Sequence, residues 1–193
     1  MNKAVFLDRD GTINVYKGFL RNIDDFELLS GVSEAIKEIN SSGYLCIVIT
    51  NQPVIARGEI TFEQLNEIHN KLETLLGLEG AYIDGIYFCP HHPDRGYKGE
   101  IPELKFNCDC RKPKPGMLFK AAKDYNIDLT NSYMVGDGLN DIKAGISAGC
   151  KTILISEKNC SPHSENFGQS DNCSSVLEFV KKYINVKTSI NTD

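Results

Sequence analysis

The run VFLDRDGTIN, residues 5–14, carries two aspartates, Asp8 and Asp10, from an apolar strand into a glycine turn. A buried ionised carboxylate is costly unless it is paired, hydrogen-bonded or bound to a cation. Two carboxylates one residue apart at a strand end therefore call for a cation and for positive charge from elsewhere. A third acid, Asp137 in MVGDGLND, follows another apolar run and is followed by a glycine. Three such acids suit a hard divalent ion such as Mg²⁺, which takes few carboxylates and completes its shell with water and phosphate. Positive charge comes from CRKPKPG, where Pro113 and Pro115 restrict the backbone that carries Arg111, Lys112 and Lys114. Thr50 and Asn51 close the run YLCIVIT and offer a hydroxyl and backbone N–H donors to a phosphate. Singly, these residues also read as turn acids, a solvated basic run and a cap; together they read as a phosphate and magnesium site.

A second constellation lies in a stretch without clear periodicity, residues 89–114. CPHH and CDC place Cys89, His91, Cys108 and Cys110 in it, with His92 as a less favoured substitute for His91. Three thiolates and an imidazole make a closed set suited to structural Zn²⁺. The alternative is a group of unrelated reduced thiols. A zinc there would order the loop, about 89–112, and deliver Arg111 and Lys112, which follow Cys110 directly. Of the seven cysteines, Cys46 and Cys150 read as core, while Cys160 and Cys173 have no assigned role.

The elements that must position these groups alternate strand and helix. Strands are expected at 3–8, 44–50, 82–88, 132–137 and 151–156. Helices are expected at 32–39, from Thr61 with a Thr61/Gln64 capping box, from Pro115 to about 126, at 139–148 and at 174–184. In the helix after Thr61, Phe62, Leu65, Ile68, Leu72, Leu75 and Leu76 mark the apolar side. This alternation predicts an α/β fold with a doubly wound parallel sheet, in which ligands sit at the carboxyl ends of strands. Asp8, Thr50 and Asp137 all fall at such ends. One domain over 1–186 is expected, without a large cap domain, followed by a tail at 187–193.

The 193 residues carry a net charge of −5, which supplies no basic field for nucleic acid or for a membrane surface. No apolar run reaches transmembrane length. With no signal peptide in view and an odd number of cysteines, a cytoplasmic location is expected. A monomer is expected too, since no coiled-coil heptads occur.

DRDGT, ITN, RKPKPG and VGDGLND, in this order, resemble the four motifs of the haloacid dehalogenase-like phosphatases. FLDRDGTIN, ITNQ, IARG, CPHHP and CDCRKPKPGM resemble, more narrowly, the heptose 1,7-bisphosphate phosphatase and histidinol-phosphatase group. The resemblance implies a Rossmann-like core and a phosphatase acting on a small phosphorylated sugar, with Mg²⁺ and a structural Zn²⁺ as metals. It makes Asp8 the nucleophile and Asp10 the acid–base group. Mg²⁺ would be held by the carboxylates of Asp8 and Asp137 and the backbone carbonyl of Asp10. Thr50 and Lys112 would stabilise the phosphoryl group, and Arg111 would recognise substrate. Asn51, Lys17, Gly18 and Arg57 are the further substrate-binding candidates. Asp141 supports the metal site or caps its helix. The chain departs from the family at Pro53 and Val54, at the 16–19 loop (Tyr-Lys-Gly-Phe), and at Gly138, where a lysine is usual. These departures face the substrate, and Lys17 is a candidate to replace the missing charge. Heptose 1,7-bisphosphate, losing its C7 phosphate, is the expected substrate of a pathway to lipopolysaccharide precursors. The alternatives are histidinol phosphate and a zinc-ordered module without catalysis.

Overall fold

A computed structural model describes residues 1–156 and 166–185. Cys160, the end of the expected domain and the 187–193 tail lie outside the described residues.

Six strands form one sheet in which every pairing is parallel: β1 Lys3–Leu7, β2 Tyr44–Asn51, β3 Gly85–Cys89, β4 Tyr133–Gly136, β5 Lys151–Ile155 and β6 Asp171–Cys173. The strand order is β3-β2-β1-β4-β5-β6, so the winding reverses beside β1. A doubly wound sheet opens its crevice at that reversal. Among the described residues five helices cover it: α1 Val32–Ser41, α2 Phe62–Leu78, α3 Gly116–Tyr125, α4 Leu139–Ala148 and α5 Val176–Phe179, the last continuing as a π-helical turn, Val180–Ile184.

Both faces of the sheet are buried because successive residues of β1 point to opposite sides. Val5 and Leu7 join the core beneath α1, α2 and α5, which contribute Ile36, Leu72 and Phe179 among others. Ala4 and Phe6 join a smaller core with Met117 and Leu118 of α3 and Ala144 of α4. Thr61 and Gln64 make the expected reciprocal capping box at the start of α2. Phe62, by contrast, is exposed at 44%: it opens α2, one turn before Leu65, at the edge of the stripe of Leu65, Ile68, Leu72 and Leu76.

Two elements differ from expectation. The third strand begins at Gly85 and not at Tyr82. Tyr82 and Asn40 exchange two hydrogen bonds, and the Asp84 carboxylate accepts from the Cys46 N–H, so side chains replace the ladder there. β6 was not expected, since Asp-Asn-Cys has no strand pattern; its Cys173 is buried in the core. Residues 90–115 contain one short 3₁₀ turn, Pro102–Leu104, as the lack of periodicity implied.

Candidate active site

Asp8 is the first residue beyond β1, and its N–H still bonds to Val135 O of β4 at 3.0 Å. The neighbouring strands set its surroundings. Thr50 is the last residue but one of β2, Asp137 follows β4, and Lys112 arrives from the 89–114 loop. A cleft of about 300 Å³ collects Asp8, Asp10, Thr50, Asn51, Arg111, Lys112, Asp137 and Asp141. Every catalytic and magnesium candidate thus meets at the carboxyl ends of the central strands.

Lys112 is the electrostatic centre. It is buried at 3% exposure, and its Nζ donates to Asp8 Oδ1 at 2.7 Å and to Ile49 O at 2.7 Å. It also lies 2.5 Å from Asp141 Oδ1. Burial alone would lower its pKa, but Asp141 and Asp8 outweigh burial and raise it, so the ammonium persists. Asn51 holds the lysine in place by a two-way amide clamp. Its Nδ2 donates to Lys112 O at 2.9 Å, and its Oδ1 accepts from Lys112 N at 3.0 Å. The Lys112–Pro113 peptide is cis.

The carboxylates are correspondingly perturbed. Burial, opposed by Lys112 and assisted by Asp141, pushes the Asp8 carboxyl up to about 7. Desolvation at the cleft wall and the charge of Asp141 raise Asp137 to about 6. Ligand oxygens of Asp8, Asp137 and Asp141 lie within 4.8 Å of one another, a donor set of hard oxygens that fits Mg²⁺. Asp141 is already engaged: Oδ1 meets Lys112 and Oδ2 accepts from the Gly138 N–H at 3.0 Å. It therefore both caps α4 and holds Lys112. Gly11 is required by this packing. Its φ is +85°, and a Cβ there would lie 2.2 Å from Asp137 Oδ2.

Asp10 is held by three neighbours. Arg9 donates to both of its oxygens, through Nη2 at 2.9 Å each and Nε at 3.2 Å. Asn14 Nδ2 donates to Oδ1 at 3.1 Å, and Gln52 Nε2 to Oδ2 at 2.9 Å. Gln52 also donates to Thr50 Oγ1 at 2.9 Å, so the acid and the hydroxyl share one amide. Sequence reasoning passed over Arg9, Asn14 and Gln52. For Arg9 a signal existed: it continues the alternate-residue face of Val5 and Leu7, which is a core face. Among the described residues it is the largest fully buried side chain.

Of the remaining candidates, Arg111 lines the cleft, with Nη1 donating to His91 O at 3.3 Å. Lys17, Gly18 and Arg57 do not line it. Lys17 is paired with Glu27 at 2.9 Å. Arg57 is sandwiched between the rings of Phe19 and Tyr97, at 4.7 and 4.6 Å. Tyr16, Phe19, Pro53 and Gly138, where the chain departs from the family pattern, line the cleft instead.

Beside this cleft, Cys89, His91, Cys108 and Cys110 converge, with ligand atoms all within 4.8 Å. Sulfur–sulfur separations are 3.0 to 3.4 Å, and His91 Nδ1 lies 3.3 Å from Cys110 Sγ. Zinc–thiolate bonds of about 2.3 Å imply tetrahedral edges of about 3.8 Å, so the cluster fits a zinc after slight expansion. Close contacts with Cys89, Cys108 and His91 lower the Cys110 thiol to about 5 against the effect of its burial. His92 is turned away from the cluster, toward Arg57 and the N–H of Asp94.

A doubly wound sheet with aspartates at the reversal point, a buried lysine among them and a loop shaped by thiols defines an enzyme of phosphoryl transfer. The HAD-hydrolase-like family model matches residues 109–178. The D-glycero-beta-D-manno-heptose-1,7-bisphosphate 7-phosphatase of Escherichia coli K12 is 44% identical over 165 residues, 84% of each chain. The protein of the same name from Haemophilus influenzae is 46% identical over 155 residues, covering 80% of this chain and 82% of its own. Among solved structures, the D,D-heptose 1,7-bisphosphate phosphatase of B. bronchiseptica, complexed with magnesium and phosphate, superposes with a TM-score of 0.78 at 32% identity. The match covers 93% of this chain and 97% of that one. The chain belongs to the haloacid dehalogenase-like phosphatases, in the family of these heptose-bisphosphate enzymes. It is a phosphatase.

Proposed function

We propose that the protein removes the C7 phosphate of D-glycero-D-manno-heptose 1,7-bisphosphate through an aspartyl-phosphate on Asp8. The observation that carries the chemistry is the contact of Lys112 with Asp8 and Asp141 beside Asp137 in one cleft. Heptose bisphosphate as the substrate follows from the relatives at 44% and 46% identity.

In the first step an Asp8 oxygen attacks phosphorus, the bond from phosphorus to the sugar oxygen breaks, and Asp10 gives its proton to that oxygen. In the second step water attacks the phosphorus of aspartyl-phosphate and Asp10 takes the water's proton, releasing inorganic phosphate and restoring Asp8. Splitting the displacement in this way replaces one difficult step by two easier ones. Asp8 must be ionised to attack, and Lys112 opposes the effect of its burial. Lys112 and Thr50 then face the transferring oxygens, an electrostatic role. Mg²⁺ would be held by the carboxylates of Asp8 and Asp137 and the backbone carbonyl of Asp10. When bound it offsets the repulsion between an anionic nucleophile and an anionic phosphate. Asp141 positions Lys112, and Asn51 fixes the lysine backbone. Arg111, which lines the cleft, suits the second phosphate through its planar fork.

Zn²⁺ on Cys89, His91, Cys108 and Cys110 would order the loop that carries Arg111 and Lys112. One domain, acting as a cytoplasmic monomer, completes the proposal. No described helix is long and apolar enough to cross a membrane.

The test is a substrate panel: both anomers of heptose 1,7-bisphosphate, heptose 1-phosphate and histidinol phosphate, with phosphate release followed with and without added Mg²⁺. The proposal requires the bisphosphate to give the highest kcat/KM and turnover to need Mg²⁺. A preference for histidinol phosphate would transfer the protein to the other branch of the group. Elemental analysis of the purified protein should find one zinc per chain.

A further inference from the structure

The Arg9 guanidinium does more than neutralise Asp10. Its Nη1 lies 3.2 Å from His69 Nε2, sixty residues away on α2. Arginine only donates, so Nε2 must accept and the imidazole proton resides on Nδ1. His69 is 6% exposed, and its ring packs against Phe88 with centroids 5.6 Å apart. Burial and the guanidinium hold its pKa down at about 4, so it remains a neutral acceptor at physiological pH. The same arginine anchors the turn after β1, since Arg9 O accepts from the N–H groups of Thr12, Ile13 and Asn14. The guanidinium is therefore gripped at both ends, by the Asp10 carboxylate on one side and by His69 on the other.

We propose that His69 is a positioning residue for the reaction: acting through Arg9, it fixes where the Asp10 carboxyl sits for proton transfer. The inference rests on the acid–base role proposed for Asp10. Without the imidazole acceptor, a buried N–H of Arg9 is left unpaired, which favours rotation of the guanidinium toward another partner. Asp10 is tied to that guanidinium by three contacts and follows it. Asn14 and Gln52 continue to hold the carboxylate, so the shift is one of placement and not of presence. Misplacement of about 1 Å can cost up to about a hundredfold in rate.

The signature is dependence on the leaving group. Phosphoryl transfer from a sugar or alkyl phosphate needs a proton on the departing oxygen, whereas p-nitrophenolate leaves without one. The ratio kcat/KM reports steps up to formation of the aspartyl-phosphate, so it isolates this proton. In the full-length protein with Mg²⁺, His69→Phe should lower kcat/KM for an alkyl phosphate roughly 10- to 100-fold. For p-nitrophenyl phosphate the loss should stay within about threefold, and His69→Gln, which restores an acceptor, should recover most of the alkyl activity. His69→Asn, polar but too short to reach Arg9, is the milder variant should the phenylalanine not fold, and should behave in the same way. Asp10→Asn serves as the control, with the same leaving-group dependence in stronger form. Equal losses on both substrates for His69→Phe or His69→Asn, or no loss, with Asp10→Asn still selective, would overturn the role of His69. An Asp10→Asn variant that slows both substrates alike would remove the acid–base role itself, and the inference with it.

Discussion

Replacing Lys112 by methionine keeps most of the side-chain volume and removes one buried charge. The structure gives the size of the effect. Lys112 is 3% exposed and lies 2.7 Å from Asp8 Oδ1 and 2.5 Å from Asp141 Oδ1. Breaking a buried ion pair by deleting one partner costs about 3–5 kcal/mol, because the remaining charge is stranded. For a chain of this size each kcal/mol shifts Tm by about 2–4 °C, so the melt should fall by roughly 6–20 °C at pH 8 in Mg²⁺-free buffer. The pH dependence has a definite sign. Asp8 already titrates high, at about 7, and Lys112 is the group that pulls it down. Without the lysine Asp8 rises further, so its neutral form is favoured in the folded protein. Stability tied to that neutral form is present at low pH and lost as pH rises through the folded-state pKa. The gap between wild type and variant should therefore narrow on going from pH 8 to pH 5.5. A second change, Asp141→Asn, should recover part of the lost stability by removing one stranded carboxylate, while activity stays absent. Differential scanning calorimetry on the three proteins checks this. A fall in Tm below about 3 °C at pH 8 would mean that Lys112 does not carry the paired charge described here.

Arg111→Ala should reduce kcat/KM for a bisphosphate on the order of 10- to 100-fold, the worth of one desolvated charge-assisted contact, and much less for a monophosphate. Equal losses on the two substrates would place Arg111 at the reacting phosphate instead. Gly11→Ala sets a Cβ 2.2 Å from Asp137 Oδ2 at a φ of +85°. It should weaken Mg²⁺ binding by more than about tenfold and cost about 1–3 kcal/mol of stability, read by calorimetric titration and thermal melting. Protons compete with Mg²⁺ for carboxylates raised to about 7 and about 6. Mg²⁺ affinity should thus fall about tenfold per pH unit below 7 and more steeply below 6; a flat profile between pH 5 and 8 would contradict the assigned ligands.

What the sequence disclosed, and what it hid, follows from how locally each feature is encoded. Asp8, Thr50 and Asp137 were legible because a β-α alternation assigns strand ends, and in a doubly wound sheet those ends converge. The thiol cluster was legible because four ligands in one aperiodic stretch have few other reasons to be there. The Lys112–Asp141 contact was not, since it joins the 89–114 loop to the first turn of α4 and only the folded sheet brings them together. His69 interrupts the buried stripe of Leu65, Ile68, Leu72 and Leu76, so its burial was readable, but its partner Arg9 was not. Arg57 is a different case. A basic residue near a site reads as a ligand for phosphate, yet two aromatic rings take up its guanidinium. β6 escaped notice because its three residues are placed by pairing with β5 and by the burial of Cys173, not by a pattern of their own.

Asp8 should become phosphorylated during turnover. Mixing enzyme, Mg²⁺ and heptose 1,7-bisphosphate for milliseconds, quenching in acid and mapping the peptides by mass spectrometry addresses it directly. A transient phosphoryl group should appear on the peptide containing Asp8, sensitive to hydroxylamine and absent from Asp8→Asn. Full turnover by a verified, undeamidated Asp8→Asn protein, or a phosphoryl group trapped on another residue, would contradict it.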